Sequence, residues 1–212
     1  MQEIRNMPVG IQDFPTMIEG EYVYVDKTHF IPQLEKLGRT YFLARPRRFG
    51  KSLFLSTLKT YFEGKKEFFK GFAIERIKAE QNSEWKSYPV LKLDLNYGTY
   101  LKEDDLECIL NAHIDEWCTQ FGIERKFNDS HLDFAYIIKL LSEKFRERVV
   151  ILVDEYDKPL IATLENQQLN DYYVSVLKAF YGVIKSMNGY IHVSFLTGVS
   201  KFSKVSIFSD LN

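Results

Sequence analysis

Apolar residues along this chain fall into two alternating kinds of stretch. Thr40–Ala44 (TYFLA), Pro89–Asn96 (PVLKLDLN), Arg148–Asp154 (RVVILVD) and Tyr190–Leu196 (YIHVSFL) are short and read as strands. Val149 to Val153 has no polar interruption, which suits a strand covered on both faces. Between these runs the apolar residues recur at helical spacing. Phe54, Leu55, Leu58, Tyr61 and Phe62 form one such face. Leu106, Ile109, Leu110, Ile114, Trp117 and Phe121 form a second, closed by Gly122. Phe134, Ile137, Ile138, Leu141 and Phe145 follow, with Ser130 or Asp133 as the expected cap. A short helix is expected over 157–164 with Asp157 at its N-cap. The last face runs from Leu169 through Tyr173, Val176, Leu177, Phe180 and Ile184 to Met187 and ends at Gly189. Strands alternating with helices imply right-handed crossovers, hence an α/β fold of three layers with a mainly parallel sheet.

The pattern is weaker outside this core. Residues 1–18 mix glycine, proline and polar residues without period and read as an extended lead-in. Tyr22 to Val25 suggest a short strand, and Asp26 a cap for a helix carrying Phe30, Ile31, Leu34 and Leu37, which Gly38 ends. Glu63 to Lys86 reads as a polar and aromatic connection with a short helix near its start. The expected division is a lead-in over 1–38 and a core over 39–212. The core stops at Asp210-Leu211-Asn212 without a closing element, the pattern expected of a piece of a longer protein.

Composition narrows the partners. Twenty-eight lysines and arginines against 29 aspartates and glutamates leave a net charge of −1, so no global field favours nucleic acid or an anionic membrane. The two cysteines, Cys108 and Cys118, share one expected helix about 15 Å apart along its axis, too far to bridge. With charges interrupting every apolar run, the expectation is a reduced, cytoplasmic protein without a membrane span. No two of the four histidines stand at metal-ligand spacing.

Chemistry concentrates where the first core strand meets its helix. A P-loop has glycine, four residues, then Gly-Lys-Ser/Thr. Here the frame is Arg45, Pro46, Arg47, Arg48, Phe49, Gly50, Lys51, Ser52, with arginine in place of the first glycine. Gly50 allows close backbone approach to phosphate, Lys51 reaches the β- and γ-phosphates, and the Ser52 hydroxyl ligates magnesium. The helix beginning at Lys51 aims its unpaired amides at the same anion, so Phe49, Gly50, Lys51, Ser52 and Leu53 form the expected cradle. Arg45, Arg47 and Arg48 are candidates to neutralise phosphate or to pair with a carboxylate such as Glu155; a solvated basic turn is the alternative. The second block, VVILVDEYD, ends a buried strand in adjacent carboxylates: Asp154 to hold magnesium, Glu155 to orient and polarise an attacking water. Thr197, at the end of the last strand, is the candidate γ-phosphate contact, with Ser200 behind it; a locally satisfied hydroxyl is the alternative. Asp26 and Lys27 fit a cap and a surface charge better than an adenine contact. A Gly-x-Ser-x-Gly nucleophile is excluded, because Phe202 stands at the second glycine position.

ARPRRFGKSL (Ala44–Leu53), VDEYDKPL (Val153–Leu160), YVDKT (Tyr24–Thr28) and LTGVSKFSKVSIFSDLN (Leu196–Asn212) together resemble the AAA-ATPase-like family, a prokaryotic group of P-loop proteins. Arginine at the first glycine position is that family's own pattern. The resemblance implies a sheet in which the strand ending at Thr197 lies between the loop strand and the acidic strand. It also implies ATP and Mg2+ as cofactors, with Lys51, Asp154, Glu155 and Thr197 around one γ-phosphate. Relatives continue into a restriction-endonuclease-like nuclease domain, so a C-terminal nuclease outside this chain and a homo-oligomer are the partners to expect besides nucleotide. The expected activity is slow ATP hydrolysis by water attack on the γ-phosphate. A nucleotide-dependent switch or docking module and a nuclease accessory acting on DNA are the alternatives.

Overall fold

The computed structural model describes residues 6–96 and 98–200. Four parallel strands, β1 (Thr40–Ala44), β2 (Val90–Asp94), β3 (Val149–Asp154) and β4 (Ile191–Gly198), form one sheet in the order β1-β4-β3-β2. The last of the described strands is therefore threaded between the first and third, as the resemblance implied. Register aligns their carboxyl ends: Ala44 pairs with Gly198, and Asp94 with Asp154.

Eight α-helices cover the sheet among the described residues: α1 (Phe14–Glu19), α2 (Ile31–Leu37), α3 (Lys51–Phe62), α4 (Ala73–Glu80), α5 (Glu103–Phe121), α6 (Ser130–Phe145), α7 (Lys158–Ala162) and α8 (Gln167–Ser186). Strand alternation sorts the core. Val149, Ile151 and Val153 pack with Trp117, Phe134 and Phe180 of α5, α6 and α8, where the Phe134 and Phe180 rings stack at 4.5 Å. Val150 and Leu152 face the other way, with Leu55, Leu58 and Phe62 of α3 and Phe14 of α1. Burial on both faces explains the uninterrupted apolar run of β3. Three layers follow directly. Among the described residues no helix is long and apolar enough to cross a membrane.

The lead-in differs from expectation. It contains α1, a helix too short to show a period, which Asp13 caps through Thr16 and which buries Phe14 and Met17. Ser56 of α3 secures it, accepting from the Phe14 amide at 2.9 Å and donating to Asp13 at 3.0 Å. Tyr22 to Val25 form no strand; Tyr24 instead reaches Thr57 of α3 at 3.1 Å. Asp26 accepts from Thr28 and from the Ala73 amide at the start of α4, so it joins the lead-in to a helix the sequence pattern did not reveal. Gly38 ends α2 in an extended conformation, φ 173°, rather than as a left-handed cap. Helix α8 ends at Ser186 with Met187 as its cap, before Gly189.

The cap of α6 is Asp129, not Ser130 or Asp133. Buried Asp133 instead holds the preceding turn, accepting from the Lys126 and Phe127 amides at 3.0 and 2.9 Å and from Arg125 Nε at 2.9 Å. Burial pushes its carboxyl up, but the Phe127 amide, the Arg125 guanidinium and the Lys126 amide outweigh this and hold its pKa below the ordinary value. A lowered folded pKa contributes stability above the unfolded value of about 3.9 and loses it as pH falls through the folded value. Asp133→Ala is expected to cost about 2–4 kcal/mol in urea unfolding at pH 7 and to flatten the acid limb of the stability curve.

Candidate functional site

At the carboxyl edge of the sheet the chain leaves β1 through Arg45. The Arg45 amide donates to the Gly198 carbonyl at 3.1 Å, one step beyond the β1–β4 register, so this position still behaves as strand. It does not need a glycine's freedom. The left-handed residues are Arg48, φ 67°, and Gly50, φ 74°. Gly50 is the N-cap of α3 and offers no side chain to its first turn, which leaves the amides of that turn facing the loop.

Lys51 opens α3 and is buried. Its Nζ lies 3.1 Å from Glu155 Oε1, 3.1 Å from the Arg45 carbonyl and 3.3 Å from the Pro46 carbonyl. With side-chain exposures of 4% for Lys51 and 14% for Glu155, this pair is shielded from screening by salt. Glu155 is held in the left-handed region, φ 53°, at a backbone cost of about 1 kcal/mol. That turn aims the Glu155 amide at Thr197 Oγ1, 3.3 Å away, and brings the Tyr156 amide 2.8 Å from the Thr197 carbonyl. The Thr197 hydroxyl in turn donates to Asp154 Oδ1 at 2.5 Å. Lys51, Glu155, Thr197 and Asp154 are thus linked in one continuous set of contacts.

The other expected site residues divide. Ser52 is half-buried in the first turn of α3, and neither its hydroxyl nor Asp154 Oδ2 has a hydrogen-bond partner among the described residues. Arg47, Arg48 and Phe49 are exposed on the loop, and no side chain among the described residues pairs with either arginine. Glu155, named as a possible arginine partner, pairs with Lys51. Leu53 is half-buried and packs against the cluster on the α3 side of the sheet, with its amide in the first turn of α3. Ser200 sits behind Thr197 and accepts from the Tyr156 hydroxyl at 2.6 Å. The block after Ser200 lies outside the described residues.

Two features were not read from sequence. Asp157 holds the N-cap position of α7 but makes no side-chain cap bond; Oδ2 accepts from the Val199 and Ser200 amides across the site. Burial pushes its carboxyl above the ordinary value despite those amides, and Oδ1 is buried without a partner. The second is a cavity of about 450 Å³ beside the loop, lined by Phe30 just before α2, Gln33 of α2, Arg45, Phe49 and Gly50 of the loop, and Phe54 of α3. Lys27 borders it as well, whereas Asp26 does not cap α2, whose N-cap is Phe30, and is occupied by Thr28 and the Ala73 amide. Its aromatic walls come from segments far apart in sequence, which no local period reveals.

Comparison with known proteins decides the family. A family model described as "Predicted AAA-ATPase" matches residues 8–208. The chain belongs to this predicted AAA-ATPase family. A relative in Azotobacter chroococcum mcd 1, described as an uncharacterized protein in the vnfD 5' region, is 39% identical over 210 residues. The match covers 98% of this chain and 40% of that protein, so the chain spans less than half of the relative's length. No solved structure matches the chain. The family name supports an ATPase-like, nucleotide-binding domain, and the loop and acidic strand of this predicted AAA-ATPase are the elements that meet at the sheet edge.

Gly198 is fixed by close approach: a Cβ there would lie 2.6 Å from Tyr156 Cε1 and 2.7 Å from Asp157 Oδ1. Gly198→Ala is expected to lower the thermal midpoint by a cost of about 1–3 kcal/mol, whereas Gly182→Ala, whose Cβ meets nothing within 4 Å, leaves it unchanged or raised.

Proposed function

We propose that the domain binds ATP with magnesium at the carboxyl edge of the sheet and hydrolyses it slowly. The observation that carries this reading is the convergence of the Lys51 ammonium on the Glu155 carboxylate, beside an Asp154–Thr197 contact. Phosphate entering the loop exchanges with the carbonyls of Arg45 and Pro46 and with Glu155 as partners of Lys51, while the first-turn amides of α3 take its oxygens. Glu155, released from that pair, turns to a water and serves as its base. Thr197 is fully buried, its hydroxyl shared between Asp154 and the Glu155 amide, so in this reading it meets the γ-phosphate or the same water only once the Glu155 turn has opened. The donor set fits magnesium: Ser52 Oγ and Asp154 Oδ2 are hard oxygens without other partners among the described residues. When bound, the ion would neutralise phosphate charge. The cavity beside the loop supplies an aromatic wall at Phe30 and Phe54 for the base and polar edges at Gln33 and Lys27.

Lys51→Ala is expected to raise the Kd for ATP at least tenfold by calorimetry; unchanged affinity would refute the site. Glu155→Gln should keep binding and lower phosphate release by about 10²-fold or more. A nucleotide-dependent switch is the second reading, favoured by the same Lys51–Glu155 pair, which binding must break. ATP binding by the unaltered protein with no phosphate release in a coupled assay would select it. Phe30→Ala, at an exposed position, should weaken ATP severalfold and leave inorganic triphosphate unaffected; equal loss for both ligands removes the base from the cavity.

A further inference from the structure

The two residues that follow Glu155 both reach across to the chain leaving β4. The Tyr156 hydroxyl donates to the Ser200 carbonyl at 2.6 Å, and Asp157 Oδ2 accepts from the amides of Val199 and Ser200 at 3.0 and 2.5 Å. Gly198 lies beneath them, in contact with both side chains. Tyr156 and Asp157 are buried, at 1% and 0% exposure, so neither contact competes with solvent. A carboxylate serving only as a helix cap would bond the first turn of its own helix. Asp157 makes no such bond to α7, and both amides it does hold lie more than 40 residues away.

We propose that Tyr156 and Asp157 are positioning residues, a clamp that fixes the 198–200 backbone against β3 and so holds Thr197 in register with Glu155. The proposal rests on the reading of Thr197 as the γ-phosphate contact, and assigns these two residues the discrimination of ATP from ADP. Thr197 meets the acidic block through its hydroxyl and its carbonyl, both mobile as soon as the strand end is mobile. The clamp removes that freedom from the residue that must tell a third phosphate from none. Phosphate binding through Lys51 and the α3 amides does not depend on it.

The test compares the unaltered protein with Asp157→Ala, Asp157→Asn and Tyr156→Phe. Asp157→Ala removes the acceptor of both amides. Without nucleotide, hydrogen exchange at Val199 and Ser200 should accelerate at least tenfold, with the α7 amides unchanged. The preference for ATP over ADP should fall at least fivefold, while the Kd for ADP stays within twofold. Asp157→Asn keeps one oxygen acceptor, which is all the clamp uses, and should restore both readings to within threefold of the unaltered protein. Asp157→Ala with an unchanged ATP/ADP ratio overturns the proposal, as does acceleration confined to α7. Should Asp157→Ala fail to fold, Tyr156→Phe decides: a loss of preference supports the clamp and none overturns it. A parent protein that binds neither nucleotide overturns the nucleotide reading itself and this sensing role with it. Failure at the variants alone overturns only the clamp.

Discussion

One hydroxyl group joins the two strand ends on which the site is built. Thr197 donates to Asp154 and accepts from the Glu155 amide, so the end of β4 and the turn after β3 share a buried oxygen. Buried polar groups in contact with one another are costly to separate, because each would be left unsatisfied in a medium of low dielectric. Threading β4 between β1 and β3 makes the contact possible, and the close register of the strand ends keeps it short. Everything placed at this edge inherits its position from that arrangement: the loop through the Arg45 amide on Gly198, and the acidic turn through Tyr156 on Thr197.

The second constraint is electrostatic. Lys51 is a cation withdrawn from water, and a buried ammonium persists only with partners for its donors. Two loop carbonyls and one carboxylate supply them. The same contacts order a loop that lacks its first glycine, because they pull the Arg45 and Pro46 peptides inward around the lysine. An arginine at that position is compatible with the fold since its backbone continues a strand, and the left-handed turns fall later, at Arg48 and Gly50.

Much of this was legible in the sequence because the signals are local and periodic. The bounds of β1 and β3 follow from runs of apolar residues, and α3, α5 and α6 from faces repeated over several turns. The order of strands came from the resemblance, not from periodicity. Helix α1 was illegible: six residues carry too few turns, and its anchor, Ser56, lies 42 residues away in a different helix. Asp157 misled for a related reason. Its place before α7 is a capping position, and only the folded chain brings Val199 and Ser200 to its carboxylate. The cavity beside the loop has walls from α2, the loop, α3 and β4, a combination that exists only in three dimensions.

The lead-in hangs on α3 and α4 by small hydroxyls and carboxylates: Ser56 with Asp13, Thr57 with Tyr24, Thr28 and Asp26 with the start of α4. The side chains of α2 that face the cavity take no part in those anchors. The α2 wall of the cavity and the Lys51–Glu155 pair at the sheet edge therefore sit on separately anchored pieces of chain. Substitutions at Phe30 or Gln33 can reshape that wall while the carboxylates and the lysine stay fixed, so the shape of the cavity is free to vary on an unchanged sheet edge.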